Sequence, residues 1–313
     1  MSSLGRGLAF TAGALLLHGL LSVLFVATIG AAHDARRMDA RWLEGPQPVQ
    51  VMVAGDSHAR FAVEASVLGS AINVAVPGEH YLKTLYRLPW LLQHGTRTTQ
   101  AVLLPFDAAS FSSFKADNFQ PEVVWGRYVD FFELGRHKGA RFSYAGRWAK
   151  GRLAPYTGEL GSVLQFLTHT KHFRDEQNPS ASLGLTFLEG GPRAARRHLQ
   201  GADPWDPEMA WALRRILALC REAELRVVLV RYPVTRSYAQ ESRRLGADPA
   251  LRDALLAEIR QDGVVDHLDF EAVFFDEPRM FSDGDHLNPT GRRWLSRLLA
   301  RSLQQLGVLT PRG

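Results

Sequence analysis

The sequence predicts an α/β fold, a three-layer α/β/α sandwich around a central parallel sheet, with one N-terminal transmembrane helix and a mid-chain insertion. Three observations carry this. Short aliphatic and β-branched runs alternate with longer segments of helical periodicity in two blocks, before residue 110 and after residue 205. The first apolar run, Val51-Met52-Val53-Ala54, breaks at Gly55-Asp56-Ser57 and leads straight into a helical pattern. From Leu8 to Ala32 there is no Asp, Glu, Lys or Arg, a stretch longer than the about 20 apolar residues that cross a bilayer core.

Taken in order, residues 1–32 are read as a membrane anchor, with His18 sitting in it and facing a partner. Gly30-Ala31-Ala32 has the small residues of a cleavage site, so a removed signal peptide is the alternative. Residues 33–48 form a tether ending in Gly45-Pro46-Gln47-Pro48, and the α/β domain occupies 49–308. Its first block holds strands at 49–54, 71–76 and 100–104, with helices at 58–69 and 80–93. The alternation then stops, and 111–205 is read as an insertion or cap. The second block holds a helix at 207–223, a strand at 225–230, a helix at 249–261, a short strand at 264–268 and a closing amphipathic helix at 289–306. Ligands of parallel sheets bind beyond the carboxyl ends of the strands. Ser57, Gly78 and Asp107 should therefore share one edge, with Tyr232 leaving the fourth strand toward it.

Composition narrows the function. With 46% hydrophobic and 22% charged residues the chain can build an ordinary core, and a net charge of +5 without a nucleic-acid motif argues against nucleic acid as a partner. The single cysteine, Cys220, excludes an internal disulfide and reads as a buried thiol on a helix. There is no P-loop and no metal-spaced His/Cys set, so neither cofactor nor metal is expected, and His169 and His172 read as ordinary insertion residues. The run Arg136–Arg152 carries six basic and no acidic residues, interleaved with Phe142, Tyr144 and Trp148. It is either a solvated basic face or a contact for anionic headgroups or a glycan. Arg193, Arg196, Arg197 and His198 form a smaller cluster of the same kind.

Two motifs carry chemistry. Gly55-Asp56-Ser57-His58 puts a serine between a strand end and a helix start, and Asp283-x-x-His286 offers a base with a group to orient it. Each has a plain structural reading: Ser57 as a helix N-cap, and Asp283–His286 as a turn before the helix start Asn288-Pro289. In this order, each beside a β-like run and before a helix-like run, the two motifs resemble the SGNH/GDSL hydrolase superfamily, over roughly residues 48–110 and 205–305.

The resemblance implies an SGNH or flavodoxin-like sheet, Ser57 as nucleophile, His286 as base and Asp283 as its orienting acid, with Asp285 an alternative to Asp283. It implies that the backbone amides of Ser57 and Gly78 bind the oxyanion. The family's asparagine donor is absent, because Asp107 follows the third strand. His58, His80, Asp107 and Tyr232 are candidate substrate contacts. Membrane-anchored relatives lacking that asparagine imply O-acyl transfer, most simply O-acetylation or deacylation of an exported or cell-surface polysaccharide. Such relatives work beside a multi-pass membrane acyltransferase of the MBOAT type. A non-catalytic accessory subunit that binds a glycan or such a partner is the alternative. Arg6 before the span against Arg36, Arg37 and Arg41 after it would leave the domain cytoplasmic on a Lys/Arg count. The resemblance implies the opposite, a periplasmic or external domain on a bacterial inner membrane, and the expectation follows it.

Overall fold

The computed structural model of the chain describes residues 2–30, 33–45, 48–95, 98–116, 119–120, 124–134, 141–156, 186–199, 203–261 and 265–310. They belong to two compact units, one of residues 1–37 with 120–177, the other of 38–119 with 178–313. His169 and His172 and the small-residue pair Ala31-Ala32 lie outside the described residues.

The first unit is organised on the apolar helix. Helix Ser3–Phe25 starts at an N-cap, Ser2, and runs on through a π-helical turn, Val26–Gly30. The 28 residues Ser3–Gly30 are long and apolar enough to cross a bilayer. At 1.5 Å per residue they measure about 42 Å, against a hydrocarbon core of about 30 Å. Their large apolar side chains stand exposed within the unit, Phe10 at 80% and Leu16 at 76%. His18 has partners: its ring nitrogens meet the Tyr156 hydroxyl at 2.7 Å and the Leu153 carbonyl at 2.6 Å. That ties the end of helix Arg141–Leu153 to the middle of the apolar helix. Trp148 anchors the same helix by donating to the carbonyls of Gly126 and Val129.

The second unit is the α/β domain. Its five strands are β1 (Val51–Val53), β2 (Ala71–Asn73), β3 (Ala101–Pro105), β4 (Arg226–Arg231) and β5 (Val265–Asp269). They form one parallel sheet in the order β2-β1-β3-β4-β5, with Val51 level with Ala71 on one side and Ala101 on the other. The chain thus leaves β1 toward β2 and returns to its other side as β3, which places a topological switch point between β1 and β3. Alternate residues face opposite layers. Val51, Val53, Leu103, Val228 and Val230 join Leu295, Leu299 and Leu303 of the closing helix, Pro289–Gln305, in one core. On the other side, helices Tyr81–His94 and Pro207–Glu222 pack together. Cys220 is fully buried on the second, and burial pushes its thiol up to about 12.

The predicted helix 58–69 is two helices, Ser57–Ala62 and Ala65–Leu68. The break has a tertiary cause. Asn73 at the end of β2 donates to the carbonyls of Ala59 and Val63, and the Ser296 hydroxyl takes the Glu64 amide at 2.8 Å. Two of the helices not expected are Asp34–Glu44, in the segment read as a tether, where Trp42 is fully buried and donates to the Leu91 carbonyl at 2.8 Å, and Arg236–Arg244, which opens at the N-cap Thr235. A buried charge cluster fixes the layer under β2: Arg87, fully buried, donates to Asp39 (3.1 Å), to Glu79 (2.8 Å) and to the Val74 carbonyl (2.9 Å). Burial raises the Glu79 carboxyl to about 7 against the opposing pull of Arg87.

Candidate active site

The site lies at the carboxyl ends of β1 and β3, at the switch point. Gly55, two residues past β1, stands at φ +112°, and a Cβ there would run into the Pro105 ring, so only glycine lets the turn pass β3 this closely. Asp56 follows as the N-cap of helix Ser57–Ala62, accepting the His58 amide at 3.0 Å, and its other oxygen pairs with Lys115. Capping is thus the task of Asp56, not of Ser57. Ser57 is the first helical residue, a position whose backbone N–H has no acceptor within the helix.

The Asp283–His286 turn arrives from the other end of the chain. Asp283 Oδ1 accepts the amides of Asp285 (3.0 Å) and His286 (2.8 Å), which closes the turn. Its Oδ2 accepts from His286 Nδ1 at 2.9 Å. With Nδ1 protonated toward a carboxylate, Nε2 is the acceptor for the Ser57 hydroxyl, 2.9 Å away. Thr235 holds the turn by donating to the Gly284 carbonyl at 2.6 Å. Helix Thr186–Leu199 packs against it so closely that a Cβ on Gly284 would meet Gly190 C at 2.3 Å. Asn288 then caps the closing helix, with Pro289 in its first turn.

The candidate substrate contacts His58, His80, Asp107 and Tyr232 are 4%, 4%, 5% and 1% exposed. His58 and Asp107 are spent on each other: His58 Nδ1 donates to Asp107 Oδ2 at 2.6 Å. Asp107 Oδ1 caps a 3-10 turn by accepting from the amide and hydroxyl of Ser110, both at 2.9 Å. Tyr232 lies in the core under the closing helix, and burial raises its hydroxyl pKa. His80 lines a cavity of about 10 Å³ with Gly55, Asp56 and Lys115, too small for a ligand. Gly78 is exposed in the turn after β2.

A second layer of charge supports the Ser57–His286–Asp283 row; its residues were named from the sequence, but their pairing with one another was not. Asp285, 2% exposed, lies 3.5 Å from His286 Nδ1 and 3.4 Å from His58 Nε2, so it adds to Asp283 rather than replacing it. His198, from the basic cluster noted in the insertion, pairs with the Tyr238 hydroxyl at 3.0 Å and stands 3.8 Å from Asp285. Burial alone would lower the His58 pKa, but Asp107, Asp285 and Asp56 outweigh it and hold the ring charged. In turn, burial would raise Asp107 and Asp285, but the neighbouring imidazoles dominate and keep both carboxyls well below their ordinary range. His198 is pushed down to about 3, first by burial, and is neutral.

Two groups of donor atoms lie within 4.8 Å of one another, His58/Asp285/His286 and Asp56/His58/Asp107. Both contain His58. What the arrangement can do without a metal is remove the Ser57 proton and carry it on an imidazole flanked by two carboxylates.

The fold and site define a doubly wound α/β domain with a Ser-His-Asp row at its switch point. No family model matches the chain, and no curated protein matches it. Among solved structures, one described as "a putative platelet activating factor from Streptococcus pneumonia" matches at 12% identity and a TM-score of 0.41, over 94% of this chain and 98% of that one. A likeness this distant does not bear on function.

Proposed function

We propose that this protein is a membrane-anchored serine acyl-transfer enzyme that works through an ester on Ser57. The observation that carries this reading is the unbroken row Ser57 Oγ–His286 Nε2 (2.9 Å) and His286 Nδ1–Asp283 Oδ2 (2.9 Å), built from segments 229 residues apart. Ser57 attacks the acyl carbonyl while His286 takes its proton. Asp283 and Asp285 stabilise the imidazolium, which returns the proton to the leaving alkoxide. A second alcohol or water then gives up its proton to His286 as it attacks the ester carbonyl, and His286 returns that proton to Ser57 Oγ as the acyl–Oγ bond breaks. The amides of Ser57 and Gly78 are the proposed oxyanion donors, each such donor being worth ~3 kcal/mol.

Water as acceptor makes the protein an esterase; a sugar hydroxyl makes it an O-acyltransferase. The apolar helix and the missing asparagine favour transfer to a polysaccharide outside the cytoplasmic membrane, with a multi-pass acyltransferase supplying the acyl group. The test is incubation of the full chain in detergent with a short-chain acetyl ester, with and without an oligosaccharide acceptor, against Ser57→Ala. Ser57-dependent acetylation of the sugar supports transfer. Ser57-dependent acetate release alone reduces the proposal to an esterase, and equal rates for both proteins reject it.

A further inference from the structure

The first unit contains a cavity of about 200 Å³ where the apolar helix ends. One wall is the last turn of that helix, Val26, Ile29 and Gly30, wound as a π turn, a feature that recurs at functional sites. The rest of the lining includes Arg36, Arg127, Arg152 and His33, and none of the described lining residues is acidic. We infer that this cavity binds the phosphate headgroup of an anionic membrane lipid.

Three features select that ligand. Arginine guanidinium is always charged and offers a planar fork that fits phosphate oxygens in pairs. Depth selects a lipid over a soluble phosphate. Counting about 20 residues from Leu8 brings the hydrocarbon boundary to the π turn, so the cavity opens at headgroup level. Arg152 donates to the Gly126 carbonyl at 3.2 Å and stacks over Trp148 at 5.1 Å, while the next residue, Leu153, meets His18 farther along the helix. An arginine beside an apolar helix that keeps its charge at the interface behaves this way. Size selects a headgroup over a whole ligand, because 200 Å³ falls below the roughly 300 Å³ at which drug-sized pockets begin. The acyl chains would then lie along the exposed Leu20, Leu21 and Leu24 just beyond the cavity. This inference is independent of the Ser57 chemistry.

The experiment is native mass spectrometry of the full chain in non-ionic detergent, titrated with phosphatidylglycerol or phosphatidylcholine. The expected result is preferential retention of phosphatidylglycerol. It should fall on the order of a hundredfold in an Arg36→Gln, Arg127→Gln, Arg152→Gln variant and less when the same residues become lysine. Should the triple variant fail to fold, Arg127→Gln alone, an exposed side chain, is expected to weaken binding about fivefold. Unchanged phosphatidylglycerol binding in the glutamine variants overturns the proposal. So does full displacement by equimolar inorganic phosphate, which would make the cavity a site for free phosphate.

Discussion

Replacing Asp107 by asparagine separates two accounts of that position. If its side chain faced the reaction, asparagine would supply an amide donor to the oxyanion and raise activity. The structure instead makes Asp107 half of a buried pair, 2.6 Å from His58, with its other oxygen on Ser110. Asparagine keeps the Ser110 bonds and loses the charge. Removing one member of a buried pair costs 3–5 kcal/mol. Since Asp285 still faces His58 at 3.4 Å, the lower end, about 3 kcal/mol, is expected. That corresponds to a fall in melting temperature of roughly 6–12 °C. The pH dependence follows from the two shifts. Asp107 is depressed, so its contribution is complete above the unfolded carboxyl pKa near 3.9 and fades as pH falls through the folded value. His58 is raised, so its contribution is complete below about 6.5 and fades as pH rises through the folded value. The gap between wild type and Asp107→Asn, followed by tryptophan fluorescence on heating, should be widest between about pH 4 and 6.5 and narrow on either side. An asparagine variant with unchanged stability and higher ester turnover would refute the pairing account.

Asp283→Asn keeps an oxygen for the turn amides but offers His286 the wrong tautomer. The rate constant for ester turnover should drop about 10²- to 10⁴-fold with little change in KM, measured by steady-state kinetics. Arg87→Met strands Asp39 and Glu79 and should cost about 3–5 kcal/mol by denaturant melts at pH 8. The loss should be smaller at pH 5, below the raised Glu79 pKa of about 7, where a protonated carboxyl no longer needs the cation. Gly55→Ala drives a Cβ into Pro105 at φ +112° and displaces the Ser57 turn, so stability and turnover should fall together.

Most of the sheet was legible because a buried parallel strand announces itself as an aliphatic run, as Val51–Val53 and Arg226–Arg231 do, and because Gly55 and Pro289 mark their turns by chain chemistry alone. The Ser57–His286 meeting could be expected from motif order. How its neighbours pair with one another could not. Asp285, His58, Asp107 and His198 come from four segments whose side-chain directions depend on packing, and nothing local says that the basic cluster at 193–198 aims a neutral histidine inward. The break after Ala62 is likewise imposed from a distance, by Asn73 and Ser296. Helix Arg236–Arg244 escaped notice although its Thr235 cap and amphipathic face were available signals.

The central claim, that His286 activates Ser57, is tested most directly by treating the native full chain with a fluorophosphonate ester and locating the adduct by peptide mass spectrometry. The account predicts one adduct, on Ser57, absent in Ser57→Ala and strongly slowed in His286→Ala. An unmodified Ser57 in the folded protein, or labelling of equal speed without His286, would contradict it.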